Sequence, residues 1–147
     1  MSENRFPSIL VGVQLLAILL IILTGSLTAK HPILFVLELF GIFLFLWAFF
    51  TFKKISKLSV SPEPADKAHL VTSGPYKLIR HPMYSSILIT MATLVIDIFT
   101  VERFILYIIL FIDLIIKLNF EEKLLKQKFK NYSFYKKRTY RLIPFIY

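Results

Sequence analysis

Two short stretches of this chain carry residue types that can do chemistry. One is Arg-His-Pro-Met-Tyr at 80–84, where Pro82 suits the first turn of a helix and places His81 at its N-cap. Free backbone N–H groups and the positive end of the helix dipole collect at such a position. The other stretch is the acidic pair Glu121-Glu122. An imidazole, a phenol and two carboxylates can hold a charged ligand and move a proton, provided that the fold brings them together.

A third set of ionisable residues overlaps the acidic pair. Asp113, Lys117 and Glu121 follow one another at intervals of four, which places them on one face of a helix. Charges within a membrane span are costly, so we expect this face to point toward protein or a cavity rather than lipid. Glu38, the one ionisable residue of its apolar run, is expected to face the same interior. Structural pairing of these charges with one another is an equally good interpretation.

Each of these residues also has a simpler interpretation. Arg80 could extend to lipid phosphates, and Tyr76 and Tyr84 could be interfacial anchors. The acidic pair could occupy solvated positions on an amphipathic helix. The three histidines of the chain lack the spacing of a metal site, so none is predicted, and the absence of cysteine excludes a thiol nucleophile.

The amino-acid composition indicates the class of protein that carries these groups. Of the 147 residues, 56% are hydrophobic and 18% are charged, and the mean hydropathy is +0.69. Such values disfavour both a water-soluble domain and a disordered chain, and we predict an all-α integral membrane protein. The net charge of +9 is carried between long apolar runs, which favours anionic membrane lipids over nucleic acid as partners.

Four apolar runs predict transmembrane helices, at about 6–27, 33–52, 84–100 and 104–118. They leave a loop at 53–83 and a tail at 119–147, and the tail is predicted to begin as an amphipathic helix. The whole chain, 1–147, is expected to form one domain. Of the 18 Lys and Arg residues, 16 fall on one side of this topology. Both termini, the loop and the tail are therefore predicted to be cytoplasmic, in a multi-pass protein of the plasma (cytoplasmic) membrane.

This topology brings the two chemical stretches together. Spans three and four form a hairpin, so the start of one and the end of the other lie at the same depth. His81, Tyr84 and the pair Glu121-Glu122 can therefore share a pocket at the cytoplasmic face. The loop before span three contains Ser-Val-Ser-Pro-Glu-Pro at 59–64, whose two prolines predict an extended segment.

The second half of the chain, about 66–147, resembles the isoprenylcysteine carboxyl methyltransferase and phospholipid methyltransferase superfamily. His-Leu-Val-Thr-Ser-Gly-Pro-Tyr at 69–76 and Arg-His-Pro-Met-Tyr at 80–84 are similar to the signature of that superfamily. The acidic pair, with the aromatic and basic residues that follow it, is similar to the superfamily's C-terminal pattern.

The resemblance implies that a methyl group is transferred from S-adenosylmethionine to a lipophilic acceptor. The cofactor would enter from the cytosol and the acceptor from the bilayer. Catalytic roles are implied for His81, Tyr84 and Glu121. The residues that the resemblance assigns to the cofactor site are Leu70, Val71, Tyr76, His81, Pro82, Met83, Tyr84, Glu121 and Glu122.

The acceptor stays open at this point. In the carboxyl methyltransferases an arginine one turn before the acid holds the substrate carboxylate, and this chain has Lys117 there. Lys117 favours an anionic acceptor such as a prenylated-cysteine-like carboxylate, whereas Asp113 tolerates a cationic one such as a lipid amine headgroup. Both are predicted to contact the substrate. A carboxylate needs no general base, but an amine must lose a proton with help from His81 or a glutamate.

Two other interpretations compete with the enzyme. The first is a non-enzymatic membrane protein that binds anionic lipid or a partner through its basic loop and tail. It predicts that neutralising Lys123, Lys126, Lys128 and Lys130 weakens lipid association, while changes at His81 have no special effect. The second is a family member that keeps the fold without activity, supported by Lys130 at a position where the family usually has glycine.

Overall fold

The computed structural model describes residues 5–56 and 69–146 of the chain. Regular structure in this part is helical, apart from one isolated bridge between Ile79 and Tyr140, so the all-α prediction is confirmed. The helices are α1 (Arg5–Leu23), α2 (Pro32–Ile55), a short 3-10 helix (Gly74–Lys77), α3 (Pro82–Asp97), α4 (Val101–Lys128) and α5 (Tyr132–Lys137). The predicted extended segment at 59–64 lies outside the described residues.

The helices differ from the predicted spans mainly at their ends. The first helix stops at Leu23 rather than near 27, because the Thr24 hydroxyl donates back to the carbonyl of Leu20 at 2.6 Å and a glycine follows. In contrast, α4 is one helix that continues past the predicted end at 118 to Lys128. The amphipathic helix predicted for the tail is therefore the last part of α4, and the separate α5 has only 6 residues.

One helix in the described part of the chain, Pro32–Ile55, is long enough and apolar enough to cross a membrane, by length and composition. Pro7–Leu23 and Pro82–Asp97 are apolar but shorter. The outer surface of α2 exposes large apolar side chains such as Phe43 and Phe50. A continuous apolar surface of this kind is typical of contact with a membrane.

The core lies where α1, α3 and α4 meet. Leu110, Leu114 and Leu118 follow one face of α4, are completely buried, and pack in one cluster with Ile21 of α1 and Leu94 of α3. The second helix packs along α3. The first turn of α3 and the last turns of α4 consequently lie at the same end of the bundle, which we call the His81 end.

Polar contacts close the other end of the bundle. Asp97, at the end of α3, accepts hydrogen bonds from the backbone N–H groups of Lys30 and His31, both at 2.9 Å. The guanidinium of Arg103 donates to the carbonyl of Ile21 at 3.1 Å, and the residue is only 1% exposed. Lys30 and Arg103 are the two basic residues that the predicted topology leaves on the side opposite the other 16. Both lie at this end, although Arg103 is buried in the packing.

Glu38 belongs to this closed end. Its carboxylate is buried and accepts a hydrogen bond from the backbone N–H of Ala29 at 2.8 Å, which satisfies a donor in the connection between α1 and α2. The expectation that Glu38 faces the same interior as Asp113 and Glu121 is wrong. The reason is that the carboxylate turns toward the loop preceding its own helix.

The helices α2 and α3 approach each other closely at Gly41. A Cβ at this position would lie 2.4 Å from the Thr90 hydroxyl and 3.3 Å from the carbonyl oxygen of Ser86. Such a small-residue contact lets membrane helices pack closely.

We expect Gly41→Val to lower the free energy of unfolding by about 1–3 kcal/mol through overpacking. Unfolding in detergent measures this, with Gly12→Val as the control, because a Cβ at Gly12 meets no atom within 4 Å. An equal loss in both variants would contradict a packing role for Gly41.

Candidate functional site

Glu121 meets His81 and Tyr84 at the His81 end. The Tyr84 hydroxyl donates a hydrogen bond to one carboxylate oxygen of Glu121, and His81 Nδ1 lies 3.4 Å from the other. The rings of His81 and Tyr84 stack with their centroids 5.6 Å apart. The structure thus brings together three of the four residues that the hairpin was expected to bring together, and the fourth, Glu122, lies beside His81. Glu121 keeps 20% of its side chain exposed, so a ligand can reach its carboxylate.

The start of α3 determines how His81 is presented. The buried Pro82 occupies the beginning of the helix, and His81 has a non-helical backbone with φ −124° and ψ 59°. The carbonyl of His81 accepts the backbone N–H groups of Tyr84 and Ser85, both at 3.1 Å. The Tyr84 amide is therefore not one of the free helix-start donors that the sequence predicts for this position.

Glu122 has surroundings different from those of Glu121. Its buried carboxylate forms ion pairs with Arg80 at 2.8 Å, Lys136 at 3.1 Å and Arg141 at 3.1 Å. His81 Nε2 lies 3.6 Å away, which is longer than a hydrogen bond. Glu122 is thus neutralised by the protein itself, whereas the neighbouring Glu121 remains available.

Glu122 and His81 shift each other's protonation, and the carboxylate of Glu121 adds to the shift at His81. Burial alone would raise the pKa of the Glu122 carboxyl, but its contacts with His81 and Arg80 outweigh burial and hold that pKa far below its usual range. Burial alone would lower the pKa of His81, but the carboxylates of Glu121 and Glu122 outweigh burial and raise that pKa. The imidazolium form of His81 is favoured, and an imidazolium cannot act as a general base.

These shifts predict a pH range of greatest stability. The lowered pKa of Glu122 contributes stability above the ordinary value of 4.5, and this is lost as pH falls through the folded pKa. The raised pKa of His81 contributes stability below the ordinary value of 6.5, and this is lost as pH rises through the folded pKa. We expect both contributions to be complete between pH 4.5 and 6.5.

Thermal unfolding as a function of pH tests this expectation. Glu122→Gln should flatten the decline of stability on the acid side, and His81→Gln the decline on the alkaline side. Profiles with unchanged slopes in both variants would show that other groups control the pH dependence.

Arg80 fastens the C-terminal tail to the His81 end. The buried guanidinium donates hydrogen bonds to the carbonyls of Lys136, at 3.1 Å, and Thr139. The backbone N–H of Arg80 donates to Tyr140 at 2.8 Å, and that of Tyr140 donates to Leu78 at 2.9 Å. The interpretation that Arg80 extends to lipid phosphates is wrong, because its side chain turns inward to the tail.

An apolar wall lies beside the polar cluster. Val71 and Tyr76 are buried in one cluster with Ala48 of α2, and Met83 packs against it. Burial raises the pKa of Tyr76, with smaller effects from Tyr135 and Glu121, so this phenol stays protonated. Three of the predicted cofactor residues thus share one apolar surface. Another predicted cofactor residue, Leu70, lines a groove on the side of the tail.

The predicted substrate residues Lys117 and Asp113 are buried on the same face of α4 as Glu121. The Lys117 ammonium donates a hydrogen bond to Gln14 Oε1 at 3.0 Å and lies 5.4 Å from the centroid of the Tyr84 ring. Asp113 Oδ2 is buried and has no hydrogen-bond partner among the described residues. This face points into the protein, as expected. Lys117 is bonded to α1 and forms no ion pair with Asp113 within the described chain.

Sequence reasoning missed Gln14 and the tail residues that contact Glu122. Gln14 had a usable signal, since a polar side chain inside an apolar helix commonly has a specific partner. Lys136 and Arg141 had none, because many basic residues of the tail could have met Glu122. The turn between α4 and α5 decides which of them do.

A strongly apolar helical bundle in which a His-Pro-Met-Tyr helix start faces a carboxylate has the features of a membrane-embedded methyltransferase. A search of curated proteins finds no match. The model of the isoprenylcysteine carboxyl methyltransferase family matches residues 33–127, and the chain belongs to this family. The resemblance noted from the sequence is confirmed. Gln14 and the tail contacts of Glu122 come from parts of the chain outside the match.

Proposed function

We propose that this protein transfers a methyl group from S-adenosylmethionine to a lipophilic acceptor at the His81 end. The observation that carries the proposal is the Glu121 carboxylate, which is held by Tyr84 and His81 and stays partly exposed. Such a partly exposed carboxylate can pair with the ammonium of the cofactor, accept hydrogen bonds from its ribose hydroxyls, or lie near its sulfonium. Membership of the family supports the assignment.

The neighbouring residues fit the other parts of the cofactor. Tyr84 and Tyr76 offer aromatic rings for adenine or for the sulfonium. The apolar surface of Val71 and Met83 provides a wall that keeps water from the reacting atoms. These side chains reach the site from the segment before the 3-10 helix, from that helix and from α3, so the site is assembled where several elements meet.

Methyl transfer is an in-line displacement that requires alignment and a dry site more than proton transfer. When bound, S-adenosylmethionine supplies the methyl group from its sulfonium. Glu121 is assigned to hold the cofactor, and His81 and Tyr84 to orient that carboxylate. Glu122, already paired with Arg80, is assigned a positioning role through His81.

The acceptor we favour is a carboxylate on a lipophilic group. The Lys117 ammonium lies beside Tyr84 and one helical turn from Glu121, where it can attract an anion. A carboxylate needs no general base, which agrees with the favoured imidazolium form of His81. The unpartnered Asp113 oxygen is the feature that would suit a cationic acceptor instead.

The membrane arrangement we propose has four spans with both termini, the loop and the tail in the cytoplasm of a plasma-membrane protein. The excess of basic residues at the His81 end supports this orientation. The shorter apolar helices Pro7–Leu23 and Pro82–Asp97 require local thinning of the bilayer or flanking residues that extend to its surface. In this arrangement the acceptor enters sideways from the bilayer.

Titration of S-adenosylmethionine and S-adenosylhomocysteine into purified protein by calorimetry tests the function. We expect a Kd within about 1 μM to 1 mM, the range of KM values of typical enzymes. No binding to folded protein, both in detergent and in lipid nanodiscs, would overturn the proposal. The non-enzymatic lipid-binding interpretation would then lead.

Lys117→Met should separate acceptor recognition from cofactor binding. With a farnesylated cysteine analogue as acceptor, we expect kcat/KM to fall about tenfold or more, because a charge-assisted hydrogen bond is lost. Affinity for S-adenosylhomocysteine should not change. Gln14→Leu, which removes the hydrogen-bond partner of Lys117, should act in the same direction with a smaller effect. If Lys117→Met weakened cofactor binding as much as turnover, the assignment to the acceptor would be wrong.

A further inference from the structure

A groove of about 650 Å³ opens between the segment that carries Lys77 and the turn between α4 and α5. None of His81, Tyr84, Glu121 and Glu122 lines it, so it is separate from the polar cluster, and Leu70 is the one residue of the predicted cofactor set in its described lining. Its volume lies within the range of about 300–1,000 Å³ that is common for small-molecule sites. The proposed function makes no use of this groove.

The groove is strongly basic. Lys77, Lys128, Lys130 and Arg138 line it, and its described lining contains no acidic side chain. Glu122, which neutralises basic residues of the neighbouring cluster, does not line the groove. Like charges gathered on one concave surface repel one another, and an anion bound among them relieves that repulsion.

One of the cations is already oriented. The guanidinium carbon of Arg138 lies over the Phe134 ring, 4.0 Å from its centroid, and this cation–π contact restricts the position of the guanidinium. A guanidinium carries its N–H donors along its edge, and this edge matches the geometry of two phosphate oxygens.

We propose that this groove binds a phosphate group, carried either by the headgroup of an anionic membrane lipid or by a soluble phosphate ester. Lys77, Lys130 and Arg138 would supply the positive charge. The cofactor is a poor occupant, because its sulfonium and ammonium would add positive charge to a basic site. Exposed apolar residues of the tail, Phe134 at 59% and Phe145 at 80%, offer contact surface for acyl chains and favour the lipid source.

Nanodiscs distinguish the two sources of phosphate. The protein is reconstituted in phosphatidylcholine alone or in equal parts of phosphatidylcholine and phosphatidylglycerol, and binding of a fluorescent phosphatidylglycerol probe is measured by energy transfer from Trp47. Glycerol 3-phosphate and inorganic phosphate are then added as soluble competitors. The groove variant is Lys130→Gln/Arg138→Gln, with Lys130→Gln alone as a second variant that keeps the stacked Arg138. The matched control for the double groove variant is Lys123→Gln/Lys126→Gln, which removes the same charge from exposed positions of α4 outside the groove.

The groove variant is expected to bind the probe about tenfold more weakly, as for the loss of charge-assisted hydrogen bonds, and the control variant is expected to bind normally.

Displacement by glycerol 3-phosphate would assign the site to a soluble ester, and failure of displacement would assign it to a lipid. An equal loss in both pairs would overturn the proposal in favour of a diffuse electrostatic field, and no loss in either would overturn it outright. Displacement of the probe by S-adenosylhomocysteine would also overturn it, because the groove would then belong to the cofactor. Since the probe assay needs no turnover, failure of the methyltransferase proposal would leave this result readable.

Discussion

Glu121→Gln is expected to weaken S-adenosylmethionine binding about a hundredfold and to abolish methyl transfer at ordinary cofactor concentrations. The change keeps the size of the side chain and an oxygen that can accept the Tyr84 hydroxyl, so the fold should be retained. What disappears is the negative charge next to the cofactor. A hydrogen bond to a charged group contributes about 1.5–3 kcal/mol, and every 1.4 kcal/mol is about a tenfold change in affinity.

Calorimetry with S-adenosylhomocysteine measures this effect without requiring the acceptor. The matched control is Glu102→Gln, an exposed acid in the first turn of α4 at the opposite end of the bundle. Circular dichroism and elution volume should be the same in both variants. Normal cofactor affinity in Glu121→Gln would remove Glu121 from the site, whatever the activity of the family.

Arg80→Gln is expected to destabilise the protein by about 3 kcal/mol, the lower end of the usual cost of removing one partner of a buried ion pair, because Lys136 and Arg141 still pair with Glu122. The side chains of Arg80 and Glu122 are 6% and 5% exposed, so little solvent replaces the missing partner. The variant also loses guanidinium hydrogen bonds to the carbonyls of Lys136 and Thr139. We therefore expect the tail to detach first, which limited proteolysis should detect as faster cleavage after α4.

A double variant separates the loss of the tail contacts from the cost of breaking the Arg80–Glu122 ion pair. Arg80→Met/Glu122→Leu removes both members of the pair and should recover much of the stability, because apolar replacement of a buried pair is often neutral. Lys136, with a half-exposed side chain, can return to water. Unfolding free energies of the single and double variants form the measurement. If the double variant were less stable than either single one, the hydrogen bonds to the tail would outweigh the ion pair.

The meeting of His81 with Glu121 could be predicted from the chain because it depends on local patterns. Pro82 starts a helix, and the two apolar runs that follow are separated by a connection too short for anything except a hairpin. The start of the first helix and the end of the second must then lie side by side. The same reasoning placed Asp113 and Lys117 on the inner face of α4, since residues four apart share a face.

The different surroundings of Glu121 and Glu122 could not be predicted in this way. Consecutive residues of a helix point about 100° apart, and the composition says nothing about which one meets the tail. That choice follows from the return of the chain along Leu78 and Arg80, where Tyr140 pairs with the backbone. A contact between residues so far apart in the chain depends on turn angles that no local pattern encodes.

Composition and hydropathy already indicate that the chain is helical and belongs in a membrane. The transfer free energy of an apolar run and the number of its charges are sums over residues, so neither depends on the geometry of side chains. The partner of each buried charge depends on that geometry. Lys117 bonds to Gln14, Glu38 to Ala29 and Arg80 to the tail. Each of these pairings requires two segments to reach the same place within about 3 Å with the right orientation, and only the packed helices supply that condition.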